Sequence, residues 1–160
     1  GRRIYWPRGK TLGGSSSING LIYIRGQRQD YDHWAQLGNR GWSWQDVLPV
    51  FKRMERFEGG SDEFRGRDGI LPVTHTPRNK VPLLEKMIAA AETIGLPYNA
   101  DQNGASQEGI GMSQVTIAKG RRQSTAYCYL DPARSRHNLT IDRGAMAEAP
   151  SRLPMKQSSP

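Results

Sequence analysis

Apolar residues recur at helical spacing in two stretches of the chain. In the first, Val47, Leu48, Phe51 and Met54 fall on one side of a helix. Ser43 stands at its N-cap position, and Asp46 three residues later completes a capping box in the weaker, aspartate form. Pro49 lies inside this helix and is expected to remove a backbone hydrogen bond or kink it. In the second stretch Leu84, Met87, Ile88, Ala91 and Ile94 form a stripe, with Pro82 suited to the first turn and Gly95 to the C-terminal cap. The stripe assigns Met87 and Ile94 to the core. A third helix is predicted over 27–36, with Tyr31, Trp34 and Leu37 on one side and Gly38 ending it.

The remaining pattern is of short extended pieces between polar loops. Ile4-Tyr5-Trp6 reads as a strand stopped by Pro7, 70–74 as a second, 112–118 as a third with Val115 and Ile117 on one face, and 139–142 as a last. Gly120-Arg121-Arg122 reads as a turn, after which Ser124 caps a short helix through Leu130. The stretches 59–68 and 97–107 are loops. Beyond about Ala145 no periodicity survives, and 146–160 is expected to be disordered. The fold class is α/β in the α+β sense, without regular strand–helix alternation.

Composition narrows this picture. Hydrophobic residues are only 36% of the 160, and 18 glycines and 10 prolines make the chain loop-rich. It opens on Gly1 with a predicted strand at once, which reads as a fragment of a larger structure. The net charge is +8, but the basic residues are scattered, with no basic helix and no zinc-finger spacing. A solvated basic surface is therefore favoured over a nucleic-acid-binding module. Cys128 is the single cysteine, so an internal disulfide and a Cys-rich metal site are excluded, and a reduced, cytoplasmic setting fits. No apolar run approaches the roughly 18 residues that span a bilayer. His33, His75 and His137 lack metal-ligand spacing and form no nucleophilic triad; each reads as a surface or structural histidine. Asn138-Leu139-Thr140 matches a glycosylation acceptor by chance.

The chemistry concentrates in Gly9-Lys10-Thr11-Leu12-Gly13-Gly14-Ser15-Ser16-Ser17-Ile18-Asn19-Gly20. Adjacent glycines let the backbone approach a ligand closely, and the hydroxyls and N–H groups offer donors to oxygen atoms. Ile18, Leu21, Ile22 and Ile24 give the segment an apolar side that is expected to be buried. Gly120-Arg121-Arg122-Gln123-Ser124-Thr125 could receive a phosphate at a helix start; a basic turn before a capped helix is the favoured alternative.

The glycine-serine loop resembles the first signature of the glucose-methanol-choline (GMC) oxidoreductases. The matching positions are Gly9, Lys10, Leu12, Gly13, Gly14, Ser15, Ser16, Ile18, Asn19, Tyr23, Gly26 and Asp32. The resemblance continues through Gly41-Trp42-Ser43-Trp44, Gln107-Glu108-Gly109, Gly120 to Ala126 and Asn138 to Ile141, so it covers about 1–145, and the choline-dehydrogenase-like branch is the nearest in look. It implies an FAD enzyme that oxidises a small-molecule alcohol by hydride transfer to the flavin. In that reading 1–29 is the flavin-contacting loop and helix of a partial FAD-binding domain with an incomplete Rossmann-like core. Residues 30–145 are insertions and part of a substrate-binding domain, and 146–160 is a divergent tail.

By the same resemblance Gly13, Gly14, Ser15, Asn19, Gly20, Ile22 and Ala147 fall at cofactor-contacting positions. Ile18 stands where relatives with covalent flavin carry a histidine, which implies FAD held non-covalently. The family's Gly-x-Gly-x-x-Gly fingerprint and its histidine base match no residues here. The resemblance therefore assigns no catalytic residue to this chain. A non-catalytic truncated product with residual cofactor or partner binding is the alternative.

Overall fold

In the computed structural model, which describes residues 2–145, the first two helices form at the points where side chains cap them. Helix α1 is Arg28–Gln36 and α2 is Trp44–Met54. Gln27 N–H donates to Asp30 Oδ2 at 2.8 Å, and both Ser43 N–H and Ser43 Oγ donate to Asp46 Oδ2, at 3.1 and 2.5 Å. The two helices are also tied to each other, because Trp44 N–H donates to Asp32 Oδ1 at 2.9 Å. That bond is the main reason the Asp32 carboxyl sits below its ordinary pKa. Tyr31 packs against Trp34, Trp44 and Phe51 with ring centroids 5.5, 5.8 and 5.6 Å apart, so the α1–α2 contact is aromatic. Pro49 is absorbed without ending α2.

The strands are two residues each. β1 (Glu55–Arg56) runs directly out of α2 and pairs in parallel with β2 (Leu71–Pro72). β3 (Thr74–His75) pairs antiparallel with β4 (Gln114–Val115), placing Thr74 opposite Val115. Ile22 bridges Val115 as well, which draws the chain just after the glycine-serine loop onto the same strand. β5 (Ile117–Ala118) and β6 (Arg121–Arg122) form a hairpin through Lys119 and Gly120, whose φ angles of 51° and 69° are the left-handed pair that a tight hairpin turn requires. Helix α3 is Pro82–Thr93. A π-helical turn, Ala126–Leu130, runs into the short α4, Asp131–Ala133.

The buried apolar side chains are Phe57, Leu71, Val73, Ile88, Ala91 and Cys128. Leu71 lies on β2, Ile88 and Ala91 on α3, and Cys128 on the π-helical turn. The thiol of Cys128 is pushed up in pKa by burial, so it packs as a small apolar group.

Several expectations are corrected. Met87 and Ile94 are 52% and 82% exposed, because α3 presses only its Ile88 and Ala91 side inward. Ile4-Tyr5-Trp6 and 139–142 form no strand, since no partner strand lies beside them among the described residues. Arg121 and Arg122 are strand residues rather than the turn, which is displaced one position to Lys119-Gly120. The apolar side of the glycine-serine segment is uncovered: Ile18, Ile22 and Ile24 are 59%, 60% and 54% exposed. Ala147 and the 146–160 tail lie outside the described residues.

Candidate functional site

The glycine-serine segment folds into a knot of hydrogen bonds closed by a distant part of the chain. Gly14 N–H donates to Thr11 O at 2.8 Å, and Gly9 N–H to Ser15 Oγ at 3.1 Å. A single 3₁₀ turn, Gly14–Ser17, follows Gly13. Gly13 has a φ of 85°, and a Cβ there would lie 2.5 Å from Ser17 Oγ and 3.1 Å from Ala126 Cβ, so only glycine fits. Ser17 Oγ donates to Leu12 O at 2.8 Å and Ser16 Oγ to Gly13 O at 2.6 Å.

The distant segment is Arg122–Ala126. Thr125 N–H donates to Ser16 Oγ at 3.0 Å and Thr125 Oγ1 to Gly13 O at 3.2 Å. Nη1 of Arg122 donates to Ser16 O at 3.2 Å and to Asn19 O and Oδ1 at 2.8 Å each. The two stretches singled out separately in the sequence are thus one structure, in which the basic turn holds the glycine-serine loop.

This arrangement leaves one edge open. Ser15, Asn19, Gly20 and Ile22 are all exposed, while Gly13 and Gly14 sit half-buried behind them. Nothing lies within 4 Å of the position a Cβ on Gly20 would take. Among the described residues, the N–H groups of Gly20 and Ile22 and the Nδ2 of Asn19 find no acceptor. Leu21, between them, is held at a φ of 67°, a left-handed conformation that costs a non-glycine residue about 1–2 kcal/mol. Its carbonyl accepts from Thr116 N–H at 3.0 Å and Tyr23 N–H donates to Gln114 O at 2.8 Å, so strand pairing on either side enforces the strain. The result is a rigid edge with donors and exposed isoleucines. It suits a flat, partly apolar ligand that carries acceptor atoms.

Behind this edge lies a buried polar network that sequence reasoning missed. Glu55, fully buried, accepts from Arg65 Nε and Nη2 at 2.8 and 3.0 Å and from Gly66 N–H at 2.8 Å. Arg25 Nη2 approaches Glu55 Oε1 to 2.7 Å as an ion contact. Arg65 Nη1 reaches Asp101 Oδ1 and Gln114 Oε1, at 2.5 and 2.9 Å, and its guanidinium lies 3.9 Å from the Phe57 ring centre. Asn103 accepts Arg25 N–H at 2.7 Å and donates to Tyr23 O at 3.1 Å. Burial alone would push the Glu55 carboxyl up; the hydrogen bonds from Arg65 and Gly66 and both guanidinium charges outweigh it and hold it low. Burial, reinforced by the Glu55 charge, pushes the Tyr23 phenol up to about 12. The network fixes the chain at Tyr23–Arg25, immediately after the open edge. The signal that could have found it is Glu55, a carboxylate at the end of an amphipathic helix in a chain with surplus arginine.

A separate cleft of about 470 Å³ lies at the start of α1 and α2, lined by Arg25, Trp44, Leu48, Glu63 and Asn103 among others, and holds none of the predicted cofactor contacts. His33, His75 and His137 are all exposed, and His75 packs its ring on Phe57 at 5.7 Å. No group of three or more metal-ligating side chains is found among the described residues, and no helix there is long and apolar enough to cross a membrane.

The family model for GMC oxidoreductases matches residues 1–149. The chain is 49% identical over 142 residues to the oxygen-dependent choline dehydrogenase of Sinorhizobium fredii, a span of 89% of this chain and 26% of that protein. It is 47% identical over 144 residues to the same-named protein of Brucella anthropi, again 26% of its length. The chain thus spans about a quarter of these relatives. Among solved structures, pyridoxine 4-oxidase from Mesorbium loti superposes with a TM-score of 0.78 at 35% identity, covering 85% of this chain and 27% of that one. An FAD-dependent oxidoreductase from Chaetomium thermophilum gives 0.72 at 32% identity, over 82% and 25%.

Proposed function

This chain belongs to the GMC oxidoreductase family, and we propose on that basis that it forms the flavin-side portion of an FAD-dependent enzyme oxidising the CH–OH group of a small alcohol. The carrying observation is the open edge between Ser15 and Ile22. It offers unpaired donors at Asn19, Gly20 and Ile22, room at Gly20, and apolar side chains at Ile18 and Ile22. These features fit a flavin: polar ring atoms take the donors and the flat ring covers the isoleucines. Gly13 and Gly14 give the edge its backbone shape, and Ala147 extends the contact set in sequence. When bound, FAD supplies the two-electron oxidant for removing hydride from an alcohol carbon.

The part these residues play is binding and orientation. Ile18 offers no nucleophile, so the cofactor is held non-covalently. Residues 1–29 line the flavin side and 30–145 the substrate side, in a cytoplasmic protein. None of the three histidines belongs to the edge, and the base that accepts the alcohol proton is assigned to other parts of the enzyme. The choline-dehydrogenase relatives favour choline or a similar alcohol as substrate.

The test is to put the 142-residue matched span of this chain into the S. fredii relative in place of that protein's own. The chimaera is expected to purify yellow, and to release its flavin on acid precipitation. A cooperatively melting but colourless chimaera overturns the cofactor reading; flavin that stays on the precipitate overturns the non-covalent one. The 160-residue chain alone, desalted from FAD, is expected to keep no stoichiometric flavin, because it contains no dinucleotide fingerprint for the pyrophosphate.

A further inference from the structure

Asn19 sits at the open edge with its side-chain amide exposed, and such an amide could turn either its oxygen or its nitrogen outward. The surroundings decide which. Its inner atom lies 2.8 Å from Arg122 Nη1 and 3.1 Å from Leu21 N–H. A guanidinium and a backbone N–H can only donate, so the atom between them is the oxygen, and the NH₂ group faces outward. Turning the amide over would set two donors against an NH₂ group and leave both without an acceptor. The same Arg122 nitrogen also holds Asn19 O and Ser16 O, so amide and loop backbone are gripped at one point.

We propose that Arg122 is a positioning residue that makes Asn19 a hydrogen-bond donor toward the flavin ring. The proposal rests on the reading of the Ser15–Ile22 edge as a flavin contact. Three donors, Asn19 Nδ2, Gly20 N–H and Ile22 N–H, then face outward together, with one guanidinium charge directly behind them. Such an edge favours ring atoms that carry lone pairs or gain negative charge on reduction. Arg122 touches the loop but takes no contact with the ligand itself.

The test uses the ¹⁵N-labelled 160-residue chain titrated with riboflavin, which has the flavin ring and no phosphate. In the wild type, riboflavin is expected to shift the Asn19 side-chain NH₂ signals and the amides of Gly20 and Ile22. Asn19→Asp keeps an acceptor for Arg122 and Leu21 but removes the outward donor. It should leave the Leu21 amide near its wild-type position and weaken the response at Gly20 and Ile22 by about tenfold, the scale of one lost hydrogen bond. Arg122→Ala should move the Leu21 and Asn19 signals before any flavin is added and weaken the response similarly. Arg122→Lys should restore both, because all three acceptors are served by one nitrogen. The Arg25 amide, bonded to Asn103 in the buried network, reports whether each variant is folded. If Arg122→Ala does not fold, Asn19→Asp and Arg122→Lys decide.

A wild-type response that Asn19→Asp and Arg122→Ala both retain overturns the role of Arg122 and leaves the flavin reading standing. No response anywhere between Ser15 and Ile22 in the wild type overturns the flavin reading and this inference together.

Discussion

At the scale of single residues, the most consequential group is Glu55, a fully buried carboxylate facing two arginines. Removing one partner of a buried ion cluster leaves the others uncompensated. Glu55→Ala should therefore cost about 3–5 kcal/mol, measured by chemical denaturation. The same group sets an acid limit. Its folded pKa is below the ordinary 4.5, so its contribution is complete above that value and is lost as pH falls through the folded one. Tyr23 sets an alkaline limit with the opposite sign. Its phenol is raised from 10.0 to about 12, so its stabilisation holds below pH 10 and disappears as pH rises toward 12. In a base titration followed by tyrosinate absorbance, Tyr23 and Tyr129, both pushed up by burial, should ionise late, and Tyr23→Phe should remove part of that late signal. None of this was legible in the sequence. Arg25, Glu55, Arg65 and Asp101 are far apart along the chain and each reads alone as a surface charge; only the fold brings them together.

At the scale of elements, legibility followed local causes. Helices α1, α2 and α3 were readable because their signals, Gly38 after α1, the Ser43–Asp46 box and Pro82, act within one turn of themselves. The strands were readable only in part, because two-residue strands carry almost no periodicity and depend on a partner. The 70–74 and 112–118 runs found one another; Ile4-Tyr5-Trp6 did not. The β5–β6 hairpin offers a clean experiment. Lys119 occupies a left-handed position that asparagine adopts more readily, and its side chain is exposed. Lys119→Asn should stabilise the chain by roughly 0.5–1 kcal/mol, seen as a raised denaturation midpoint with unchanged slope. Gly13→Ala is the converse case. Strained φ and contact with Ser17 and Ala126 should make it costly by more than about 1 kcal/mol in a thermal melt.

At the scale of the whole molecule, a small apolar core sits beside much uncovered apolar surface. Leu83 and Met87 on α3 and Ile94 just after it are exposed, as are Ile18, Ile22 and Ile24 by the open edge. The isolated chain should bind an environment-sensitive hydrophobic dye strongly. Changing Leu83, Met87 and Ile94 together to Gln should reduce that binding while moving stability by less than about 0.5 kcal/mol per site. The family was legible because the glycine-serine signature is continuous in sequence; the uncovered isoleucines of the open edge were not, because an apolar run does not say whether its cover is present. The clasp between Ser16 and Thr125 closes a loop of more than a hundred residues. A growing chain emerging from the ribosome would therefore display the complete glycine-serine stretch long before its latch had been made. Synthesis halted at Lys119 would yield every residue of the open edge and no grip to shape it. The edge is translated more than a hundred residues before the latch that shapes it.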